Sequence, residues 1–312
     1  MNRVTIISLM AVILLTTCLD APRDNVYDPE NPNRAYLSAV TYEFGLYPME
    51  GVFACLTQDG EIMKADTSDI FGQVEFEEIV PGIYALIGEA LHYSPAAYFP
   101  ESIWAGEYIT DLRMEFLTLD FEDDSQGTSS PYRFEPTHGT WAIIEDDQQP
   151  GAHSTPQVYA SIDSISDESA ITLCEPEAHK FLFEARMKVN ESSGSNWQAG
   201  VIFRYQDENN YYSFTVSPET TFCSLVLNGQ HTYIRIRVRE AAPGIWQNMQ
   251  VEHREGDHTI KLSIDDVVVF SLTDDIFAGG RVGLLASDCN EPSPAYVNFD
   301  DVTLDLTHLY MP

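Results

Sequence analysis

Basic residues are scarce in this sequence. Sixteen Lys and Arg stand against 49 Asp and Glu, a formal charge of −33. Such a field repels phosphate backbones and makes nucleic acid a poor partner. It suits a salty exterior, divalent cations or plain solubility. Of the five cysteines, none forms a Cys-x-x-Cys pair, which argues against zinc. The Gly-x-Ser-x-Gly elbow and the phosphate-binding loop are both missing. The amino-terminal apolar run falls short of the roughly 20 residues that a membrane-crossing helix needs. From Ala35 to Thr118 no segment holds the 3.6-residue period of an amphipathic helix.

The amino terminus carries an address. Met1–Arg3 is positive, and Val4–Leu15 is apolar apart from Thr5 and Ser8. That length fits the hydrophobic region of a signal peptide, residues 1–17. Leu15-Thr16-Thr17-Cys18 resembles a bacterial lipobox, with Thr17 standing where Gly, Ala or Ser is usual. The resemblance implies acylation of Cys18; ordinary secretory cleavage nearby is the alternative. Several acyl chains at about 0.8 kcal/mol per buried methylene make a stable anchor. No Asp directly follows Cys18, so the resemblance points to the outer membrane or cell surface of a bacterium. Residues 18–34 form a charged tether with Pro22, Pro29 and Pro32, which buries nothing. Its Asp24–Pro32 stretch is similar to leaders of Bacteroidetes- and Fibrobacter-type lipoproteins.

Export permits disulfides. Cys55, Cys174, Cys223 and Cys289 allow three pairings, and spacing does not choose among them.

Residues 35–118 are expected to form a first β-sandwich. Gly51–Thr57 is a strand, Gln58–Glu61 a hairpin turn, and Ile62–Ala65 the returning strand. Asp69 and Gly72 make a turn, Val74 and Phe76 alternate into a core, and Pro81-Gly82 turns into the strand Ile83–Ile87. Tyr93–Pro100 reads as a loop. Thr67-Ser68-Asp69-x-x-Gly72 followed by Val80-Pro81-Gly82-x-Tyr84 resembles the carboxypeptidase regulatory-like (transthyretin-like) domain. That resemblance implies a spacer or docking module with no active site of its own.

Residues 119–312 are expected to form a larger sandwich. Short period-two strands recur: Phe181–Val189, Ala199–Tyr205, Tyr211–Ser217, Cys223–Leu227, Tyr233–Arg239, Trp246–His253, Thr259–Ile264, Val267–Leu272, Arg281–Ala286 and Ala295–Leu304. Ala199–Tyr205, Asp207–Tyr212, Ile264–Asp266 and Val297–Val302 resemble the concanavalin A-like (LamG-type) jelly roll. The resemblance is to its 3-keto-disaccharide hydrolase-like branch. It implies fold and leaves the chemistry open. The whole is therefore an all-β chain.

Hydrolysis of a glycosidic bond needs two carboxyls roughly 5–10 Å apart. No strand shows the Glu-x-Asp-x-x-Glu spacing used on this fold. Ile162–Glu168 is the nearest imitation and reads as a strand end running into a turn. His253 and His258 flank one hairpin with no third ligand near. Asp123, Asp124, Asp300 and Asp301 are the candidate calcium ligands, since carboxylates at loop ends suit a hard cation. The alternative is an acidic surface without an ion.

One pattern runs against the charge of the chain. Arg235, Arg237 and Arg239 alternate with Ile234, Ile236 and Val238, so three guanidiniums share a strand face. They pair with carboxylates such as Glu184, Glu240 or Glu252, or they meet an anionic ligand. Arg204 and Lys261 are expected on the same face of neighbouring strands. Tyr205, Tyr212 and Trp197 offer flat rings for sugar stacking, with Trp197 exposed beside the Ser192–Asn196 loop. Trp141 and Trp246 are expected as buried anchors. The leading reading is a non-catalytic, lipid-anchored surface protein whose jelly roll binds polysaccharide, acidic glycans included. A hydrolase of the same fold is the second reading, and an assembly protein contacting other surface proteins the third.

Overall fold

A computed structural model describes residues 34–44, 47–98, 102–104, 106–146, 156–162, 169–191, 197–253, 259–273, 276–287 and 297–306. The chain is all-β, and it divides into two compact units. The first comprises Met1–Leu91 and Pro95–Met114, the second His92–Ser94 and Glu115–Pro312. The division falls before the Thr118/Leu119 boundary expected from sequence. Its cause is Phe116–Leu119, which pairs with Val302–Asp305 at the far end of the chain.

In the first unit, β1 (Ala35–Glu43) carries the core alternation, with Ala35, Leu37, Ala39, Thr41 and Glu43 buried. It pairs in parallel with β8 (Gly106–Met114) and antiparallel with β5 (Gln73–Ile79) and β2 (Tyr47–Pro48). The second sheet runs β4 (Glu61–Thr67), β3 (Phe53–Gln58), β6 (Ala85–Glu89), β7 (Ala96–Tyr98). β7 lies within the stretch read as a loop; its Ala-Ala-Tyr sequence is too short to show a period. The sheets press together at Gly88, where a Cβ would come within 2.3 Å of Leu112.

Local chemistry explains the turns of this unit. Asp59 and Gly60 both take positive φ, 51° and 84°, as a two-residue hairpin of the primed type demands. The Asp69 carboxylate accepts from the Phe71 and Gln73 amides, each at 2.9 Å. Tyr84 packs back on its turn and donates to the Val80 carbonyl at 2.7 Å.

The second unit is a sandwich of two sheets. One runs β10 (Phe134–His138), β13 (Ala170–Ala178), β22 (Gly280–Ser287), β15 (Gln198–Asp207), β16 (Asn210–Val216), β17 (Thr220–Leu227), β18 (Gln230–Val238). The other runs β11 (Trp141–Glu145), β12 (Gln157–Ser161), β23 (Val297–Asp305), β14 (Phe181–Val189), β19 (Gln247–His253), β20 (Thr259–Ile264), β21 (Val267–Thr273). β9 (Phe116–Leu119) also pairs with β23. The expected Phe181–Val189 and Thr259–Ile264 strands stand as read.

Alternation decides what lies between the sheets. Ala199, Val201 and Phe203 face inward from β15, with Phe214 and Val216 from β16 and Phe181, Phe183 and Met187 from β14. Phe214 meets Phe270 of the opposing sheet edge to face, centroids 6.1 Å apart. Each such side chain contributes roughly 1.5–3 kcal/mol on burial.

Candidate functional site

The β10–β18 sheet has a second face that the sandwich core does not use. Its residues follow from register. Ile202 stands opposite Ser213, Ser213 opposite Ser224, and Ser224 opposite Tyr233. One row over, Thr215 stands opposite Phe222 and Phe222 opposite Ile236. On the other side Tyr211 stands opposite Val226, and Val226 opposite His231. Adjacent strands are about 4.8 Å apart, so each row is a ladder of touching side chains.

Aromatic rings stand at two places on this face. Tyr205 and Tyr211 stack, centroids 5.8 Å and planes 25° apart. Both pack on an apolar cluster of Ile171, Leu173, Ile202 and Leu285. Burial raises both phenols above their ordinary range, and Glu208 and Asp207 raise Tyr205 further. Two strands away, Phe222 and Tyr233 lie 4.8 Å apart. His231 adds an edge contact to Tyr233 at 4.6 Å. Ser213, Ser224 and Thr215 lie between the two groups. Arg281 joins the same face beside Tyr205 and bonds Glu135 at 3.0 Å. Ser213, Thr215 and Ser224 are small and buried, so the rings stand above the surface between them, as a flat ligand requires.

Tyr205 reaches this face because β15 is irregular. The register shifts between Ile202 and Tyr205, and Arg204 takes a φ of +50°. The bulge turns Arg204 into the interior and Tyr205 outward. Arg204 Nη2 then lies 3.2 Å from His253 Nδ1. His253 Nδ1 is 2.8 Å from the His179 carbonyl oxygen, and its Nε2 is 3.1 Å from Lys180 Nζ.

Three of the six expected ligand residues, Trp197, Arg204 and Tyr212, are buried. Trp197 is 1% exposed and Tyr212 is fully buried. Trp197 is in phase with Ala199, Val201 and Phe203, and Tyr212 with Phe214, so both point into the core. Tyr212 stacks on Phe203 at 5.3 Å. Arg204 is buried, as above, and Lys261 lies in the opposite sheet, 3.7 Å from Glu252. Arg235 and Arg237 are exposed on β18. They stand opposite Cys223 and Thr221, on the reverse of the face that holds Tyr233. Arg239 pairs with Asp265 at 3.1 Å. Of the expected set only Tyr205 belongs to the aromatic face. Tyr211, Phe222 and Tyr233 complete it; period-two phasing with Ser213 finds Tyr211, and only strand register brings in the other two.

Of the expected anchors, Trp141 is buried against Tyr159 at 5.2 Å. Trp246 is half-buried, with the Lys188 ammonium 5.1 Å from its ring centre.

The four aspartates do not form one set. Asp301 is 3.3 Å from Arg186, and Asp300 is wholly buried and accepts from the Asp301 amide. Asp123 is exposed, while burial raises the Asp124 carboxyl above its usual range. Among the described residues no group of three or more His, Cys, Asp or Glu is placed to hold a metal ion. Cys55 and Cys174 are buried free thiols, so neither joins a disulfide, and Cys223 is buried as well. Burial pushes the Cys174 thiol up to about 12. A hollow of about 390 Å³ in the first unit is lined by Lys64, Asp66, Glu75, Glu77, Glu78 and neighbours, remote in the sequence from the aromatic face. Cys18, the tether, Asp163–Glu168, Ser192–Asn196, His258 and Cys289 lie outside the described residues.

The chain matches no protein-family model and no curated protein sequence. Similar solved structures include a carbohydrate-binding module, a carbohydrate recognition domain, a beta-1,3-glucanase and a protein of unknown function. A carbohydrate-binding module CBM66 from Bacillus subtilis is 19% identical, covering 55% of this chain and 95% of its own, with a TM-score of 0.44. The metal-free carbohydrate recognition domain of Emp46p is 11% identical over 55% of this chain and 89% of its own, TM-score 0.41. A beta-1,3-glucanase from Mycobacterium marinum is 14% identical over 60% of this chain and 97% of its own, TM-score 0.40. The sandwich assignment rests on the strand pairing above, not on these likenesses.

Proposed function

We propose that this chain is a bacterial surface lipoprotein that binds carbohydrate without hydrolysing it. The second unit holds the glycan on the outer face of the β10–β18 sheet. The first unit, a carboxypeptidase regulatory-like module, spaces it from a membrane anchored through acylated Cys18. One observation carries the binding reading: Tyr205 and Tyr211 on one side, and Phe222 and Tyr233 on the other, share one sheet face. Sugar rings present an apolar face and a rim of hydroxyls. Aromatic rings cover the first, and the Arg281 guanidinium and Glu135 carboxylate at the rim bond the second.

The glycan sits across β15–β18, and Arg281 and Glu135 give that face a polar rim. The experiment is a glycan array probed with the full secreted chain. Retention of a defined oligosaccharide class is the expected result. An array silent for neutral and acidic glycans alike overturns the reading. Reducing-end release from any retained glycan overturns its non-catalytic part.

A further inference from the structure

β18 ends its sheet. Among the described residues its far edge pairs with no strand. Natural sheets blunt such edges with bulges, prolines, charge or a cover. Here the bulge lies between the Tyr233 and Arg235 pairings, and the Ile234 carbonyl accepts from Arg235 Nη1 at 2.8 Å. That closes the first half of the strand. From Arg235 to Val238 the pairing with β17 is regular.

The parity of this stretch is fixed. The Arg239 amide donates to the Glu219 carbonyl at 3.1 Å. Antiparallel ladders alternate, so Arg237 and Arg235 also direct their backbone groups to β17. Ile236 and Val238 direct their N–H and C=O to the open edge. Both side-chain faces are accessible, with Ile236 60% and Val238 83% exposed. Arg235 and Arg237 lie on the reverse face, with no carboxylate partner among the described residues.

We infer that this edge accepts an added strand from a partner protein whose sequence alternates acidic and apolar residues. The backbone of Ile236 and Val238 supplies the ladder bonds, as in other cases of strand addition. Carboxylates of the incoming strand lie beside Arg235 and Arg237, and its apolar side chains beside Ile236 and Val238. A second copy of β18 is a poor occupant, because arginine would oppose arginine. The acidity of the chain does not forbid an acidic partner: charge is screened over about 8 Å at physiological salt, so the two guanidiniums dominate at contact.

The test uses the full chain and short fluorescent peptides alternating Val with Glu or Val with Lys, read by anisotropy. A heparin oligosaccharide serves as a polyanion without a peptide backbone. The Val–Glu peptide binds at least about tenfold tighter than Val–Lys. Val238→Pro removes an outward N–H and leaves the β17 ladder intact, so Val–Glu binding falls about tenfold or more. The R235E/R237E double variant reverses the preference to Val–Lys. Circular dichroism checks that each variant is folded. Should Val238→Pro not fold, a Val–Glu peptide N-methylated at alternate amides must lose binding to the parent protein instead. Equal binding of the two peptides overturns the inference. So does binding that survives Val238→Pro or N-methylation, and so does heparin binding in place of Val–Glu binding, which would make the arginines a polyanion site.

Discussion

Arg204 of β15 and His253 of β19 meet between the two sheets of the second unit, Nη2 to Nδ1 at 3.2 Å. Arg204 is buried there by the bulge that sends Tyr205 to the surface. The pair is a consequence of fold and takes no part in the aromatic face. Arg204→Ala should therefore cost about 1–3 kcal/mol of stability, the range for a buried hydrogen-bond partner removed and a cavity left behind. Urea unfolding midpoints measure it. A loss below about 0.5 kcal/mol, the surface-substitution range, would show the guanidinium to be solvated.

Lys188 and Asp146 form an ion pair whose side chains are 0% and 1% exposed. Breaking such a pair by one substitution leaves a buried charge and costs about 3–5 kcal/mol. Lys188→Met and Asp146→Leu should each fall in that range. The double variant should be more stable than either single one, because no orphan charge remains. Denaturant titration of all three closes the cycle.

Cys55 and Cys174 should both alkylate in denaturant without any reductant, and neither should react in the native protein. Peptide mass mapping reads the result. The Cys174 thiol goes from an ordinary 9.0 to about 12 on burial. A folded value above the unfolded one means the stabilising contribution is complete below pH 9 and is lost as pH rises toward 12. Burial raises the Tyr93 and Tyr159 phenols in the same direction. Thermal midpoints should therefore fall across the alkaline range, and Cys174→Ala should lessen the fall.

Asp124 gives the opposite end of the scale. Burial raises its carboxyl above 3.8, Asp123 and Asp120 add to this, and His92 opposes. Its contribution is complete below 3.8 and is lost as pH rises through the folded value. Asp124→Asn should thus raise the melting midpoint at pH 7 relative to the parent and lose that advantage near pH 3. A midpoint lowered at pH 7 would show that the charge has a stabilising partner.

Much of the fold was legible because a half-buried strand repeats every two residues. Phe181–Val189 and Thr259–Ile264 alternate cleanly, and both are strands with those limits. A Ser-, Gly- and Asn-rich sequence precedes Trp197 and suggests exposure, yet its phase with Ala199 and Val201 sends it inward. Arg204 and Tyr205 were not predictable from phase, since a bulge exchanges their faces. The partner of Arg239 in the opposite sheet, Asp265, depends on which strands face each other, whereas Lys261 with Glu252 is a cross-strand pair of the β19–β20 hairpin. Local spacing does not encode sheet order. Tyr211, Phe222 and Tyr233 became a set only when register placed their strands side by side.

The aromatic face is the central claim, and calorimetric titration of its array-selected oligosaccharide tests it most directly. The parent chain, Tyr233→Ala, Tyr205→Ala and Trp197→Phe are compared. Each tyrosine truncation should weaken binding at least about tenfold, roughly 1.4 kcal/mol. Trp197→Phe should bind as the parent does. Unchanged affinity in both tyrosine variants, or loss in Trp197→Phe alone, would contradict the assignment of that face.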